Sequence, residues 1–375
     1  MPKEGSPLTL AIFMVANIVP RVITGFIARP YIDRHSRRKA IYRLDYLSSV
    51  LFVLISAILF MGYFDVLVFT LLAGFFGIID TIYQLAFMSM FPEVITKGNH
   101  SKAYSLSSLI WSLSAALMAP IAAFMIDNFV FGVALLMGFN ALTHFFAASV
   151  ETTIKLDEKL NQKEVVGFKF IHDLKEGFGY YKVEKGIYGI AILFAAFSYV
   201  YASHDLLRMP YFVSSSVYTL QHFSFLITAS SIGRIVGGII HYTFRYPPKM
   251  RFIIAVFVYF AVELLSATML YMPYLVMLSV SFIIGLLSVT SFNIRMTATQ
   301  VYIPTEIRGR VNSSQKLLWN IGAILGALIT GIIAEYTVLD YRFIMLLMSL
   351  VSLVTIVLVP VRMHQEFKKI YNAEV

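Results

Sequence analysis

The chain has 375 residues, 58% of them hydrophobic and 14% charged, with a mean hydropathy of +0.76. A soluble chain carries about 25% charged residues, so a water-soluble globular fold is excluded and a polytopic helical membrane protein is indicated. The net charge of +9 does not imply a nucleic-acid partner, because the cations gather in short loops between apolar stretches, and the absence of cysteine excludes disulfides and thiolate metal sites.

Apolar stretches of bilayer-spanning length recur from end to end. They predict eleven spans, at 8–32, 44–63, 66–91, 103–125, 129–150, 187–208, 217–242, 252–272, 275–301, 312–335 and 341–361. Met1-Pro2-Lys3-Glu4-Gly5 leads straight into a first span too long for a signal peptide. The first loop is a tight charge run, Asp33-Arg34-His35-Ser36-Arg37-Arg38-Lys39, that cannot lie in hydrocarbon. Loops on the same side carry Arg43, Lys97, Lys102, seven lysines between Glu151 and Gly186, Arg245, Lys249, Arg251, Arg308, Arg310, Arg362, Lys368 and Lys369. The opposite side has only Lys3, Arg208 and Arg342, with Asp65, Asp127, Asp205, Glu335 and Asp340. The positive-inside rule predicts that the first side, and with it the C-terminus, is cytoplasmic.

The longest connection, 151–186, separates an N-terminal half at 1–150 from a C-terminal half at 187–375. Its lysines are matched by as many acids. Phe170, Ile171, Leu174, Phe178 and Tyr181 fall at helical spacing and predict an amphipathic helix. That helix either lies on the membrane face or packs on the bundle as a solvated linker.

Shifted by 208 residues, the chain matches itself without gaps. Gly25 falls on Gly233, Ile27 on Ile235, Ile32 on Ile240, Arg37 on Arg245 and Arg43 on Arg251. Ser105 falls on Ser313, Leu109 on Leu317, Ala115 on Ala323 and Asp127 on Glu335, and the two tryptophans, Trp111 and Trp319, also superpose. The rare Trp pair and the loop arginines carry the most weight. The shift places the first span on the seventh and the fourth on the tenth, as in two parallel six-span repeats. The first repeat has five spans, and the partner of 187–208 would precede Met1. The expectation is therefore eleven transmembrane helices, five plus six, of a twelve-helix pseudo-repeat that lacks its first helix, through a mis-set start or a truncation.

Asp33, Arg34, Arg37 and Arg38 resemble the signature G-x-x-x-D-[RK]-x-G-[RK]-[RK] found between the second and third helices of the major facilitator superfamily, with Arg29 and Ser36 in place of its glycines. Within that superfamily the chain is similar to bacterial macrolide-efflux and enterobactin-exporter-like carriers. The residues carrying this are Pro20, Pro30-Tyr31-Ile32-Asp33-Arg34, Phe91-Pro92-Glu93, Ala103-Tyr104-Ser105-Leu106, the run 294–304 and Arg308-Gly309-Arg310-Val311-Asn312. The segment 115–124 resembles an antiporter signature, G-x-x-x-G-P-x-x-G-G. It keeps Pro120 and has Ala115, Ala119, Ala123 and Phe124 for the glycines. The resemblance implies an all-α major facilitator fold in a bacterial cell membrane, whose two halves rock about a midplane cavity. It also implies a small-molecule substrate, protons as the coupling ion and no cofactor. A monomer is expected, although no residue pattern fixes the oligomeric state.

Charges inside spans usually face a cavity or a partner. Asp80 and Glu263 are the acids read near span centres; Arg21, Arg29, Arg234 and Arg295 lie within spans. Asp80 reads either as a carboxyl that exchanges a proton or as the structural partner of Arg21 or Thr81. Arg21 meets an anionic substrate or Asp80. Arg295 gates by pairing with an acid, contacts substrate, or snorkels to the surface. Glu263 reads as hydrogen-bonded and structural. The Asp33, Arg34, Arg37 and Arg38 cluster either latches helix ends together or only fixes topology. Tyr83, Phe194, Phe197, Tyr199 and Phe292 either line a greasy pocket or pack. The eight histidines show no metal-ligand spacing. No phosphate-binding loop or nucleophile motif is present, which disfavours an ATP-driven pump or an enzyme. The resulting expectation is a secondary active exporter of an amphipathic, drug-like compound in exchange for protons. An uptake carrier for a small metabolite and a truncated, non-transporting membrane protein are the alternatives.

Overall fold

The computed structural model describes residues 6–32, 35–96, 99–154, 170–243 and 247–373. Thirteen α-helices occur among them: α1 Pro7–Ile32, α2 Arg37–Phe60, α3 Val66–Val94, α4 His100–Asn128, α5 Gly132–Glu151, α6 Phe170–Val183, α7 Lys185–Val213, α8 Leu220–Thr243, α9 Arg251–Thr268, α10 Tyr274–Tyr302, α11 Thr305–Tyr336, α12 Tyr341–Arg362 and α13 His364–Tyr371. No strand occurs among the described residues. All but α6 and α13 are long and apolar enough to cross a membrane, which makes eleven candidate spans. Several helices start on recognisable caps. Ser36 Oγ accepts from the Lys39 amide at 3.2 Å, Asp65 Oδ1 from the Val68 amide at 2.9 Å, and Asp340 Oδ1 from the Arg342 amide at 2.8 Å. Pro273 and Pro304 precede α10 and α11.

The boundaries follow the 208-residue shift. Both ends of α3 map onto the ends of α10, and the end of α4 maps onto the end of α11. Helices α1 to α5 correspond in order to α8 to α12, and α7 has no counterpart among α1 to α5. Several helices outrun their expected spans, α2 beginning at Arg37 rather than 44 among them. α7 was expected to end at 208 because Asp205 and Arg208 look like loop residues, but it continues to Val213 with both inside it. α11 begins at Thr305, since Arg308 and Arg310 form its first turns.

The chain divides into two compact units, one built mainly from α1 to α5 and the other mainly from α6 to α13. In the first, α2 and α5 meet over small residues. Ala134, Ala141 and Ala148, seven residues apart, are almost fully buried, and Ser49 and Ser56 of α2 donate to the Ala141 and Ala134 carbonyls at 2.8 Å each. α1 crosses α3 where Gly77 packs on the Asn17 backbone. In the second unit, Gly322 and Gly326 of α11 abut the α7 backbone at Ala195 and Tyr199, and Gly233, Gly237 and Gly285 bring α8 and α10 together.

The predicted linker helix is α6, and it packs on the bundle. Tyr181 Oη lies 2.8 Å from Ser314 Oγ, Gly177 sits on the Arg310 carbonyl, and Arg310 pairs with Asp173 and Glu176. Burial pushes the Tyr181 phenol up to about 12. The side chains of Phe170 and Ile171 lie outside the described residues. The last helix, α13, also inserts into its unit, with Phe367, Ile370 and Tyr371 each 1% exposed.

Candidate functional site

Arg21 of α1 and Asp80 of α3 form an ion pair at 2.9 Å. The α1–α3 crossing aligns them: Asn17, one turn before Arg21, donates to the Ala73 carbonyl and accepts from the Arg21 guanidinium at 2.9 Å. Thr81 does not serve Asp80; its hydroxyl lies 2.8 Å from the Gly77 carbonyl and 3.4 Å from that of Arg21. The two charged side chains remain 46% and 42% exposed. Both charges lie within apolar helices, and neither is packed into a core.

Of the expected loop cluster, Asp33 and Arg34 lie outside the described residues. Arg37 binds Glu93 and reaches the Ser89 carbonyl of α3, while Arg38 donates to the Ile154 carbonyl just past α5. These two arginines at the start of α2 therefore hold the ends of α3 and α5. Arg29 lies in α1, its side chain outside the described residues.

Arg295 meets aromatic faces. Its guanidinium stands 4.0 Å from the Phe194 ring centroid and 5.7 Å from that of Phe292, and it makes no ion pair among the described residues. Phe194, Phe197 and Tyr259 pack edge to face, and Tyr259 Oη lies 2.9 Å from Tyr371 Oη of α13. Burial pushes the Tyr371 phenol up to about 12, against the opposing pull of Tyr259 and Arg295. Of the expected pocket aromatics, Phe194 and Phe197 thus belong to a packed cluster capped by Arg295. Tyr199 reaches the Met348 sulfur, and Tyr83 reaches Glu151.

Glu263 is hydrogen-bonded as expected, accepting from Ser352 Oγ at 2.7 Å. Arg208 lies in the field of Asp205, Tyr201 and Glu263. His204 is fully buried between α7 and α12, on Ser349 Oγ and the Met345 carbonyl. On α6, ligand atoms of His172, Asp173 and Glu176 gather within 4.8 Å of one another, a grouping the histidine spacings do not suggest. Arg310 already neutralises both of its acids.

A further cluster escaped sequence reading. Asp45 of α2, 7% exposed, lies 3.0 Å from His144 Nδ1 of α5. Beside it, Tyr83 of α3 donates to Glu151 of α5 at 3.3 Å. Asp45 looked like a boundary residue, one position inside the expected span. The available signal was a polar stripe of Asp45, Ser48, Ser49 and Ser56, helically spaced and all buried.

The family described as Major Facilitator Superfamily matches residues 3–326. The chain belongs to the Major Facilitator Superfamily. This assignment makes it a multi-pass secondary transporter with a small-molecule substrate. This superfamily member is 20% identical over 351 residues to Macrolide efflux protein A of Streptococcus pyogenes, covering 92% of this chain and 85% of that one. The same values describe its likeness to the Macrolide efflux protein A of Streptococcus pyogenes serotype M6. Its fold is similar to that of the nucleoside transporter NupG (TM-score 0.66, 14% identity, covering 95% of this chain and 90% of that one). It is also similar to a bacterial homologue of the iron transporter ferroportin in an inward-facing state (TM-score 0.68, 13% identity, 100% and 91% covered). At these identities the structures speak to fold alone.

Proposed function

We propose that the chain exports an amphipathic, drug-like small molecule in exchange for protons. The open Arg21–Asp80 pair carries this reading: two opposite charges, each nearly half exposed, held on neighbouring apolar helices. In the cycle, Asp80 exchanges its guanidinium partner for a proton or for a cationic part of the substrate, and Arg21 is freed at the same moment. A ligand moves such an equilibrium only by binding one state better than the other, and a broken ion pair supplies that difference. Arg37 and Arg38 at the start of α2, with Asp33 and Arg34 of the same charge run in sequence, act as the latch at the helix ends. Arg295, which makes no ion pair among the described residues, is the further candidate substrate contact. The export direction is supported by the likeness to Macrolide efflux protein A over most of both chains.

The test is drug accumulation in a pump-deficient bacterial host expressing the chain, using a macrolide and a fluorescent amphipathic cation, with and without an uncoupler. Expected is lowered accumulation that the uncoupler restores. Accumulation unchanged by expression would sink the export reading.

A further inference from the structure

The Asp45 cluster places two carboxyls together in the first unit. The Glu151 side chain lies within hydrogen-bonding reach of Asp45. Its Oε1 accepts from Tyr83, while its Oε2 is buried without a donor among the described residues. Two carboxylate oxygens facing each other have no hydrogen between them unless one carboxyl is protonated. Charge repulsion in a poorly solvated site drives the same outcome, because two adjacent carboxyls cannot both ionise cheaply.

Three helices supply the titratable and charged neighbours of the two carboxyls. From α3 the titratable neighbour is Tyr83, a neutral donor. From α5 it is His144, bound to Asp45 and stacked on Phe52 at 5.4 Å between ring centroids. From α2, Tyr46 is turned to Ser149 Oγ at 3.2 Å, and the charged Arg38 donates to the Ile154 carbonyl, three residues past Glu151. The imidazole is bound to one of the two acids, Asp45. A path for the proton exists, since Glu151 is the last residue of α5 and is followed by exposed Thr152 and Thr153.

We propose that Asp45 and Glu151 share one exchangeable proton, held in register by His144 and Tyr83, and that this pair is a proton-binding site distinct from Asp80. Uptake forms one O–H bond on a carboxyl oxygen and changes the charge of the pair from −2 to −1; release returns the proton to water at the α5 end. The proposal rests on proton coupling only for what the proton drives, because occupancy of the pair can be read without substrate.

The experiment is an infrared pH titration of the purified full chain in lipid nanodiscs, in H2O and in D2O. It compares the unmodified protein with Asp45→Asn, Glu151→Gln and Asp80→Asn, each in a Glu263→Gln background that removes a further carboxyl held among the helices. Expected is a deuterium-sensitive protonated-carboxyl band at neutral pH, lost in both Asp45→Asn and Glu151→Gln and kept in Asp80→Asn. Glu151→Gln is nearly isosteric and sits at a helix end, so it keeps the test informative should Asp45→Asn fail to fold. A band lost only in Glu151→Gln when both variants fold, or kept in Glu151→Gln, overturns the shared proton, as does its absence at neutral pH from the unsubstituted pair. If the band behaves as expected while drug export ignores the uncoupler, the site stands and the coupling falls.

Discussion

Asp80 and Arg21 illustrate what a half-open ion pair contributes. Pairs open to water contribute only about 0–1 kcal/mol to stability, and on the proposed reading, in which these side chains, 42% and 46% exposed, open to a watered cavity, the pair is a poor structural device. Asp80→Asn is therefore expected to fold with little change in thermal unfolding, yet to lower uncoupler-sensitive export about tenfold, equivalent to about 1.4 kcal/mol of lost coupling. Initial efflux rates from preloaded cells measure this, and full export in Asp80→Asn would remove the residue from the mechanism. Asp45 is the opposite case: it is 7% exposed and tied to His144, so its loss leaves a partner stranded inside the unit. The two halves treat this place differently with related geometry. His144 and Ser352 are counterparts under the 208-residue shift, and each binds an acid of a neighbouring helix, Asp45 or Glu263.

The helices owe their contacts to where glycine permits backbones to meet. A Cβ at Gly326 would collide with the Tyr199 backbone, whereas one at Gly238 would meet nothing within 4 Å. Gly326→Ala is accordingly expected to destabilise by about 1–3 kcal/mol, while Gly238→Ala is neutral or stabilises by up to about 1 kcal/mol. Thermal unfolding in detergent ranks the two, and an equal effect would mean that the α7–α11 crossing is not glycine-limited. The same logic separates α1–α3 from α8–α10. Gly237 meets Leu286 of α10, but its counterpart is Arg29, and α1 instead crosses α3 at Asn17 and Gly77. Helix starts carry smaller terms. Asp340 caps α12 and binds Arg342, whose hydrogen bonds hold its carboxyl below the ordinary range despite some opposing burial. A depressed acid stabilises the fold fully above its unfolded value, about 3.9, and that stability is lost as pH falls through the lower folded value. Asp340→Ala should cost about 1 kcal/mol near neutrality and close its gap to the parent protein in acid, as chemical unfolding at several pH values would show.

At the scale of the whole molecule, hydropathy makes the eleven spans legible because a bilayer demands length and apolarity together, and the 208-residue repeat fixes which helix answers to which. Site residues are legible only where a charge stands alone in an apolar run. Asp80 and Arg21 satisfy that and do meet. Asp45 and Glu151 sit at span ends, where acids are ordinary, and only the packing of α2 against α5 brings them together. Arg295 is visible as a charge, but its aromatic partner Phe194 comes from another helix and leaves no spacing in the sequence. Orientation rests on loop charge, and the chain offers a direct test because it has no native cysteine. Single cysteines can be placed at Met61 and Val338, 82% and 105% exposed in loops poor in cations, and at Thr153 and Val183 on the arginine- and lysine-rich side. The positive-inside rule predicts that an impermeant maleimide applied to intact cells labels Met61→Cys and Val338→Cys at once, and Thr153→Cys and Val183→Cys only after permeabilisation. The reverse pattern would invert the molecule and place the Arg37–Glu93 ion pair, with the proposed Asp45–Glu151 site at the end of α5, on the outer face. Protons would then reach that pair from the side where a proton-driven exporter takes them up. Labelling therefore decides from which side of the membrane the proposed shared proton exchanges.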